Sequence, residues 1–222
     1  MNLLRWMQPR EQPVEEPAFE EMREAPRFSL VMRTAKLLCE SGEYVCIVRD
    51  ISATGTKLRL FHEVPPDSHL YLELANGQRY AMERMWIDGE HAGFRFASPI
   101  AVDEFVEEPS LYARRPLRLG LQRSALISGG GKDWRAMMVN LSQQGAGIEA
   151  SGPIPVGQLV RFEVPGLPLR FGHVCWRRKF AHGLVFQNAF RLDELARYAF
   201  ELQTFPPIPV IDEIDHGEKR YA

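Results

Sequence analysis

The chain is 222 residues long, enough for one or two domains, and its composition, 45% hydrophobic and 25% charged, is that of an ordinary soluble globular protein. Lys and Arg number 27 against 29 Asp and Glu, a net charge of −2 with a pI near 6.3. That balance argues against a protein that coats DNA or RNA, which needs a basic face large enough to move the total, but it leaves room for a small anion held by a few local arginines. No apolar run approaches the roughly 20 residues that span a bilayer. The start of the chain is too short and too interrupted to read as a signal peptide, so a cytoplasmic location is expected.

Residues 1–22 read as a flexible lead, with Glu11, Glu15, Glu16, Glu20 and Glu21 set among Pro9, Pro13 and Pro17 and too few apolar residues to drive ordering. Leu3, Leu4, Trp6 and Met7 are read as part of that disordered lead rather than as an anchor. A first domain is expected over residues 23–107. Its apolar residues fall in short runs between turn signals, which predicts strands over residues 28–39, 44–49, 56–61, 69–74, 79–87 and 91–97. The pair Asn76 and Gly77 is its strongest hairpin signal. Leu70, Leu72 and Leu74 point one way and His69, Tyr71 and Glu73 the other, the period of a half-buried strand. A short helix is expected over 103–107. A connector, 108–113, leads to a second domain at 114–205, with strands over 119–128, 133–140, 146–150, 158–164, 168–178 and 182–188. Here Gly129, Gly130 and Gly131 make the first hairpin turn, and Pro165 with Gly166 stands where Asn76 and Gly77 stood. A closing helix over 192–203 carries an apolar side of Leu192, Leu195, Ala196, Ala199, Phe200 and Leu202 and is stopped by Pro206 and Pro207. The tail, 206–222, reads as mobile. Short strands joined by tight turns predict a mainly all-β protein of two six-stranded antiparallel barrels, a closed form that leaves no exposed sheet edge, each followed by a helix.

The two domains are copies. Asp50, Ser52 and Gly55 share the pattern Asp/Asn-x-Ser-x-x-Gly with Asn140, Ser142 and Gly145 at an offset of 90 positions, from 50 to 140. The same offset carries Pro65 onto Pro155, Trp86 onto Trp176, Gly93 onto Gly183 and Phe96 onto Phe186. Upstream, Arg23 and Arg27 match Arg114 and Arg118 at an offset of 91, which predicts one inserted or deleted residue in a loop.

An Arg-x-x-x-Arg pair ahead of Asp/Asn-x-Ser-x-x-Gly suits an anionic guanine nucleotide. Guanidinium groups offer forked donors to phosphate oxygens and to the O6/N7 edge of guanine. A carboxylate or amide oxygen accepts from the N1 and N2 hydrogens, a Ser hydroxyl adds a donor or acceptor, and the Gly permits a tight turn where a side chain would block the ligand. This constellation resembles the signature of the PilZ family in both halves: Arg23, Arg27, Asp50, Ser52 and Gly55 in the first, Arg114, Arg118, Asn140, Ser142 and Gly145 in the second. A later strand Trp followed by Gly-x-x-Phe also looks like PilZ, with Trp86, Gly93 and Phe96, then Trp176, Gly183 and Phe186. The resemblance covers about residues 23–107 and 114–200.

What the resemblance implies is a bacterial receptor for the second messenger cyclic di-GMP. Its arginine segment wraps the ligand, often a stacked dimer, while Asp/Asn and Ser read a guanine from the barrel surface. No catalysis, cofactor, DNA or RNA is implied; the signal passes by contact to a protein partner in motility, pilus or exopolysaccharide control. The alternative is a degenerate adaptor that docks partners without nucleotide. The copies differ. Asp50 has the better acceptor for guanine, but Glu24 lies between the first pair of arginines. The second copy adds Arg115 within its pair and Arg123 beyond it, with no acid between Arg114 and Asp133, and is placed slightly ahead on phosphate electrostatics.

Other groups read as structural. Cys39, Cys46 and Cys175 have no Cys-x-x-Cys spacing and are expected to be buried reduced thiols. His173 and Cys175, two apart on one strand with His182 following, lack a fourth metal ligand. Trp86 and Trp176 are expected in the barrel cores, and Arg177, Arg178 and Lys179 in a solvated hairpin turn. No nucleophile–base pair, metal cluster or phosphate-cradling glycine loop suggests an enzyme.

Overall fold

The computed structural model describes residues 28–65, 67, 69–109 and 116–203. The lead, the tail, Arg23, Arg27, Arg114, Arg115 and most of the connector lie outside the described residues.

Strands β1 (Phe28–Cys39), β2 (Gly42–Ile51), β3 (Gly55–Leu60), β4 (His69–Glu73), β5 (Arg79–Asp88) and β6 (His91–Phe96) close into an antiparallel barrel in the order 1-2-3-6-5-4, followed by α1 (Val102–Glu107). The second half repeats the plan with β7 (Arg118–Gly129), β8 (Lys132–Ser142), β9 (Gly145–Ala150), β10 (Leu159–Glu163), β11 (Arg170–Arg178) and β12 (Ala181–Phe186), in the order 7-8-9-12-11-10, followed by α2 (Leu192–Leu202). The expected pair of six-stranded barrels, each trailed by a helix, is therefore the fold. Turn chemistry sets the hairpins. Gly130 and Gly131 have φ of 58° and 75°, as a two-residue turn between right-twisted strands requires. Pro165 precedes Gly166, whose φ of 88° fits a type II turn closed by the Leu167 N–H on the Val164 carbonyl at 3.0 Å.

Each barrel fills its own centre. Leu37, Tyr44, Leu58, Leu60, Leu70 and Leu72 anchor the first core, with Phe105 of α1 plugging one end. Leu119, Ile127, Phe162, Val174 and Phe190 anchor the second, with Leu195, Ala196 and Ala199 of α2 against it. Arg33 of β1 holds the end of α1: its guanidinium donates to the carbonyls of Phe105 and Val106 and pairs with Glu108 at 3.3 Å.

Three β-bulges interrupt strict alternation in each barrel, at equivalent places. They lie in β1 between Ser29 and Arg33, in β2 between Val48 and Asp50, and in β5 between Arg84 and Trp86. Their counterparts lie between Gly120 and Arg123, Met138 and Asn140, and Val174 and Trp176. The first pair corrects the expectation of a loop insertion. Three residues bulge in β1 where two bulge in β7, so the step from offset 91 to 90 falls inside a strand. Met32, in the longer bulge, takes the left-handed φ of 44°.

The barrels touch through α2. Gln203, just past its end, accepts from the Glu43 N–H and donates to the Glu43 carbonyl, both at 2.8 Å. Phe200 stacks on His62 with ring centroids 4.4 Å apart. Val45 of β2 is fully buried among the core residues of the second barrel.

Candidate ligand-binding site

The second bulge decides where Asp50 and Asn140 point. Val48 and Met138 face the cores, and by period-2 alternation the residues two positions on would do the same. A bulge adds one residue to the strand without advancing its partner, which reverses the parity. Asp50 thus pairs with Lys57 and Asn140 with Gly147, on the outer surface. The third bulge acts likewise on the tryptophans. Trp86 pairs with Gly93 and Trp176 with Gly183, and the rings are 45% and 41% exposed. The expectation that these tryptophans fill the cores is overturned: alternation from Met82 and Val174 points them inward, and the bulges at Met85 and Cys175 turn them out. Each indole lies over its glycine so closely that a Cβ on Gly93 or Gly183 would come within 2.1 or 2.0 Å of the ring nitrogen.

The motif serine and glycine build the floor. Ser52 Oγ donates to the Gly55 carbonyl at 3.2 Å and accepts the Gly55 N–H at 3.1 Å; Ser142 Oγ donates to the Gly145 carbonyl at 3.0 Å. Both serines are buried, and these bonds fasten the turns β2–β3 and β8–β9. The glycines are required by the neighbouring strand. A Cβ on Gly55 would sit 2.6 Å from the Phe94 carbonyl oxygen, and one on Gly145 only 1.9 Å from that of Leu184. The close approach of β3 to β6 and of β9 to β12 is thus a demand for glycine separate from the expected one of sparing room for a ligand.

The outer faces of the two copies are thus alike in plan and different in chemistry. In the first, Asp50, Ser52, Lys57, Trp86 and Arg95 line a cavity of about 380 Å³. Arg95 is held by Glu83 at 2.8 Å, whereas the Asp50 carboxylate has no hydrogen-bond or ion-pair partner among the described residues. In the second, Arg118, Asn140, Ser142 and Trp176 line a hollow of about 100 Å³. Arg118 stands beside Ser142 in the β7–β8 ladder, exposed and without an acid partner among the described residues. Asn140 folds its carboxamide over Gly147 and accepts that residue's N–H at 3.1 Å, which engages one of the two lone pairs of its amide oxygen. The neighbouring hairpins also differ. The β5–β6 turn carries Asp88 and Glu90, the latter paired with Arg59 at 2.9 Å, while the β11–β12 turn carries exposed Arg177, Arg178 and Lys179.

Of the predicted site residues, Asp50, Ser52 and Gly55 come together on one barrel, and Arg118, Asn140, Ser142 and Gly145 on the other. Arg23, Arg27, Arg114 and Arg115 lie outside the described residues. Sequence reasoning missed Lys57 and the outward tryptophans. The available signal for Lys57 was that the repeat places Gly147 opposite it. No group of His, Cys, Asp and Glu among the described residues could hold a metal. Cys46 is buried, but Cys39 is only half-buried and Cys175 is exposed on its bulge, against the expectation of buried thiols. Burial raises Cys39 to about 11, so it stays a thiol near neutrality. No helix among the described residues is long and apolar enough to cross a membrane.

The family model of the PilZ domain matches the chain twice, over residues 21–108 and 112–201. No curated protein matches. Among solved structures, the chain is similar to the Bacillus subtilis inhibitor of motility MotI/DgrA, at 14% identity over 78% of this chain and 96% of that one, with a TM-score of 0.33. It is similar to the Borreliella burgdorferi PlzA protein in complex with c-di-GMP, at 14% identity over 77% and 88%, TM-score 0.32. It is also similar to Escherichia coli YcgR in complex with c-di-GMP, at 10% identity over 75% and 81%, TM-score 0.28.

Proposed function

The chain belongs to the PilZ domain family, and from that premise we propose that it is a non-catalytic receptor for cyclic di-GMP that passes the signal to a protein partner by contact. The observation that carries this reading is the convergence, in both barrels, of an Asp or Asn, a serine-fastened turn and an exposed tryptophan on one outer face. An acceptor for the guanine N1–H and N2–H then lies beside an aromatic surface suited to a base. In the second copy Arg118 adds a forked donor at the same face, in reach of a phosphate oxygen. In this reading the segments carrying Arg23 and Arg27, which precede β1 in the sequence, and Arg114 and Arg115, which precede β7, wrap the ligand. Ordering of those segments on binding is the switch that a partner would sense. Motility, pilus assembly and exopolysaccharide synthesis are the outputs the family suggests, in the cytoplasm.

The adaptor reading is favoured by one observation, confined to the second copy: the Asn140 amide oxygen already accepts the Gly147 N–H, which leaves it one lone pair for a guanine. Calorimetric titration of the full chain with cyclic di-GMP tests both. The wild type is expected to bind, Asp50→Ala and Arg118→Ala each to weaken binding at its own barrel, and the double variant to lose it. Absence of heat with the wild type, or full binding by the double variant, overturns the receptor reading.

A further inference from the structure

The two sites are internal controls for each other, and the sharpest difference between them is one residue in the wall. Lys57 of β3 stands directly across the ladder from Asp50; the equivalent residue across from Asn140 is Gly147. Directly opposed residues on antiparallel strands have Cβ atoms about 5 Å apart, so side chains at these positions serve one ligand group. The consequences run through both sites. A Cβ on Gly147 would lie 2.5 Å from the Asn140 amide nitrogen, so the missing side chain is what lets Asn140 lie down on the strand. Lys57 has that Cβ, which denies Asp50 the same resting place and leaves its carboxylate facing the cavity.

Lys57 is held by no acid among the described residues, Asp50 included, and its ammonium lies 5.9 Å from the centroid of the Trp86 ring. The other cation lining this cavity, Arg95, is tied to Glu83. A carboxylate and an ammonium, neither with an ion-pair partner among the described residues and the ammonium set over the Trp86 ring, therefore stand side by side in the cavity of about 380 Å³. Guanine presents a matching edge: N1–H and N2–H donate, and O6 beside them accepts. Adenine presents an amino donor where guanine has O6, carries no hydrogen on N1 and has no N2 amine, so it would set a donor against Lys57 and an acceptor against Asp50, leaving both carboxylate oxygens without a donor.

We propose that Lys57 is a specificity-determining residue of the first site, donating to O6 of the guanine whose N1–H and N2–H are accepted by Asp50, and that the second site lacks this contact because Gly147 stands in its place. This rests on the nucleotide-receptor reading above. Lys57 is then a residue that touches ligand, and the first barrel is the more selective for guanine.

The experiment uses the full chain carrying Asn140→Ala and Arg118→Ala, so that the first barrel reports alone, titrated calorimetrically with cyclic di-GMP and with cyclic di-AMP. Adding Lys57→Met is expected to weaken cyclic di-GMP binding by about tenfold and to narrow its preference over cyclic di-AMP, whereas Lys57→Arg, which keeps donors for O6, retains both. Unchanged thermal melting of the Lys57→Met variant separates lost contact from lost fold. Equal cyclic di-GMP binding before and after the Lys57→Met change overturns the role of Lys57 and leaves the receptor reading standing. Absence of cyclic di-GMP binding by the wild-type chain overturns both.

Discussion

A glycine can be demanded by a neighbouring backbone or by a neighbouring side chain, and the two demands carry different costs. At Gly145 the obstacle to a Cβ is the Leu184 carbonyl oxygen, 1.9 Å away, which moves only if β12 moves. At Gly183 it is the edge of the exposed Trp176 ring, which can swing toward solvent. Gly145→Ala is therefore expected to lower stability in urea titration by about 1–3 kcal/mol, the usual cost of overpacking. Gly183→Ala is expected to cost less than half as much while shifting tryptophan emission, because the indole leaves its seat. Equal losses from the two changes would count against this division. The same contrast explains why the motif glycine and the later glycine, alike in the sequence, do different work: one closes the barrel and the other seats an aromatic at the site.

At the scale of elements, the β11–β12 hairpin and the loop after β9 are joined by His182. Its Nε2 accepts the Ile154 N–H at 3.1 Å, which places the ring proton on Nδ1, where it donates to the Phe180 carbonyl at 2.7 Å. Both ring nitrogens are committed to the neutral form. Burial holds its pKa below the ordinary value of 6.5, with Arg177 adding in the same direction against the Phe180 carbonyl. Unfolded chain thus binds more protons than folded chain between the folded pKa and the ordinary one, so stability is complete above that window and declines as pH falls through it. Urea midpoints measured from about pH 8 to pH 5 are expected to fall on the acid side and to fall less steeply in His182→Gln. His62, also depressed by burial, contributes a remaining slope of the same sign. An identical acid slope in the variant would exclude His182 as a source.

Across the whole molecule, the question is whether two barrels behave as one body. Gln203 makes two hydrogen bonds to the Glu43 backbone, and the Glu43 carboxylate accepts the Gly120 N–H at 2.8 Å, next to Asn140 in the β7–β8 ladder. The interface therefore reaches the edge of the second site. Gln203→Ala removes both side-chain bonds and is expected to weaken docking by about 1–3 kcal/mol without opening either core. Calorimetric melting is then expected to show the barrels separating into two transitions, against one coupled transition expected of the parent. A variant that melts as the parent does would place the coupling elsewhere, in the Phe200–His62 stack or at Val45.

Much of the fold is legible in the sequence. Strand positions, turns, the duplication and the grouping of Asp50, Ser52 and Gly55 follow from apolar alternation, Gly and Pro, and spacing, all of which act over a few residues. Alternation failed at the faces that carry the candidate sites. Trp86 and Trp176 read as core because large aromatics usually fill small barrels, and alternation from Met82 and Val174 would agree; nothing in the residue pattern marks the bulge that turns them out. The extra residue near Met32 read as a loop insertion for the same reason. Lys57 and Gly147 acquired meaning only when β2–β3 and β8–β9 were in register, and Gln203 only when it met Glu43, 160 positions away. The sequence by itself determined that there are two barrels and which residues could form their sites. The tertiary structure decided which way those residues face and that the two sites are chemically unequal, because bulge parity and cross-strand pairing are properties of closed sheets, not of the order of residues along the chain.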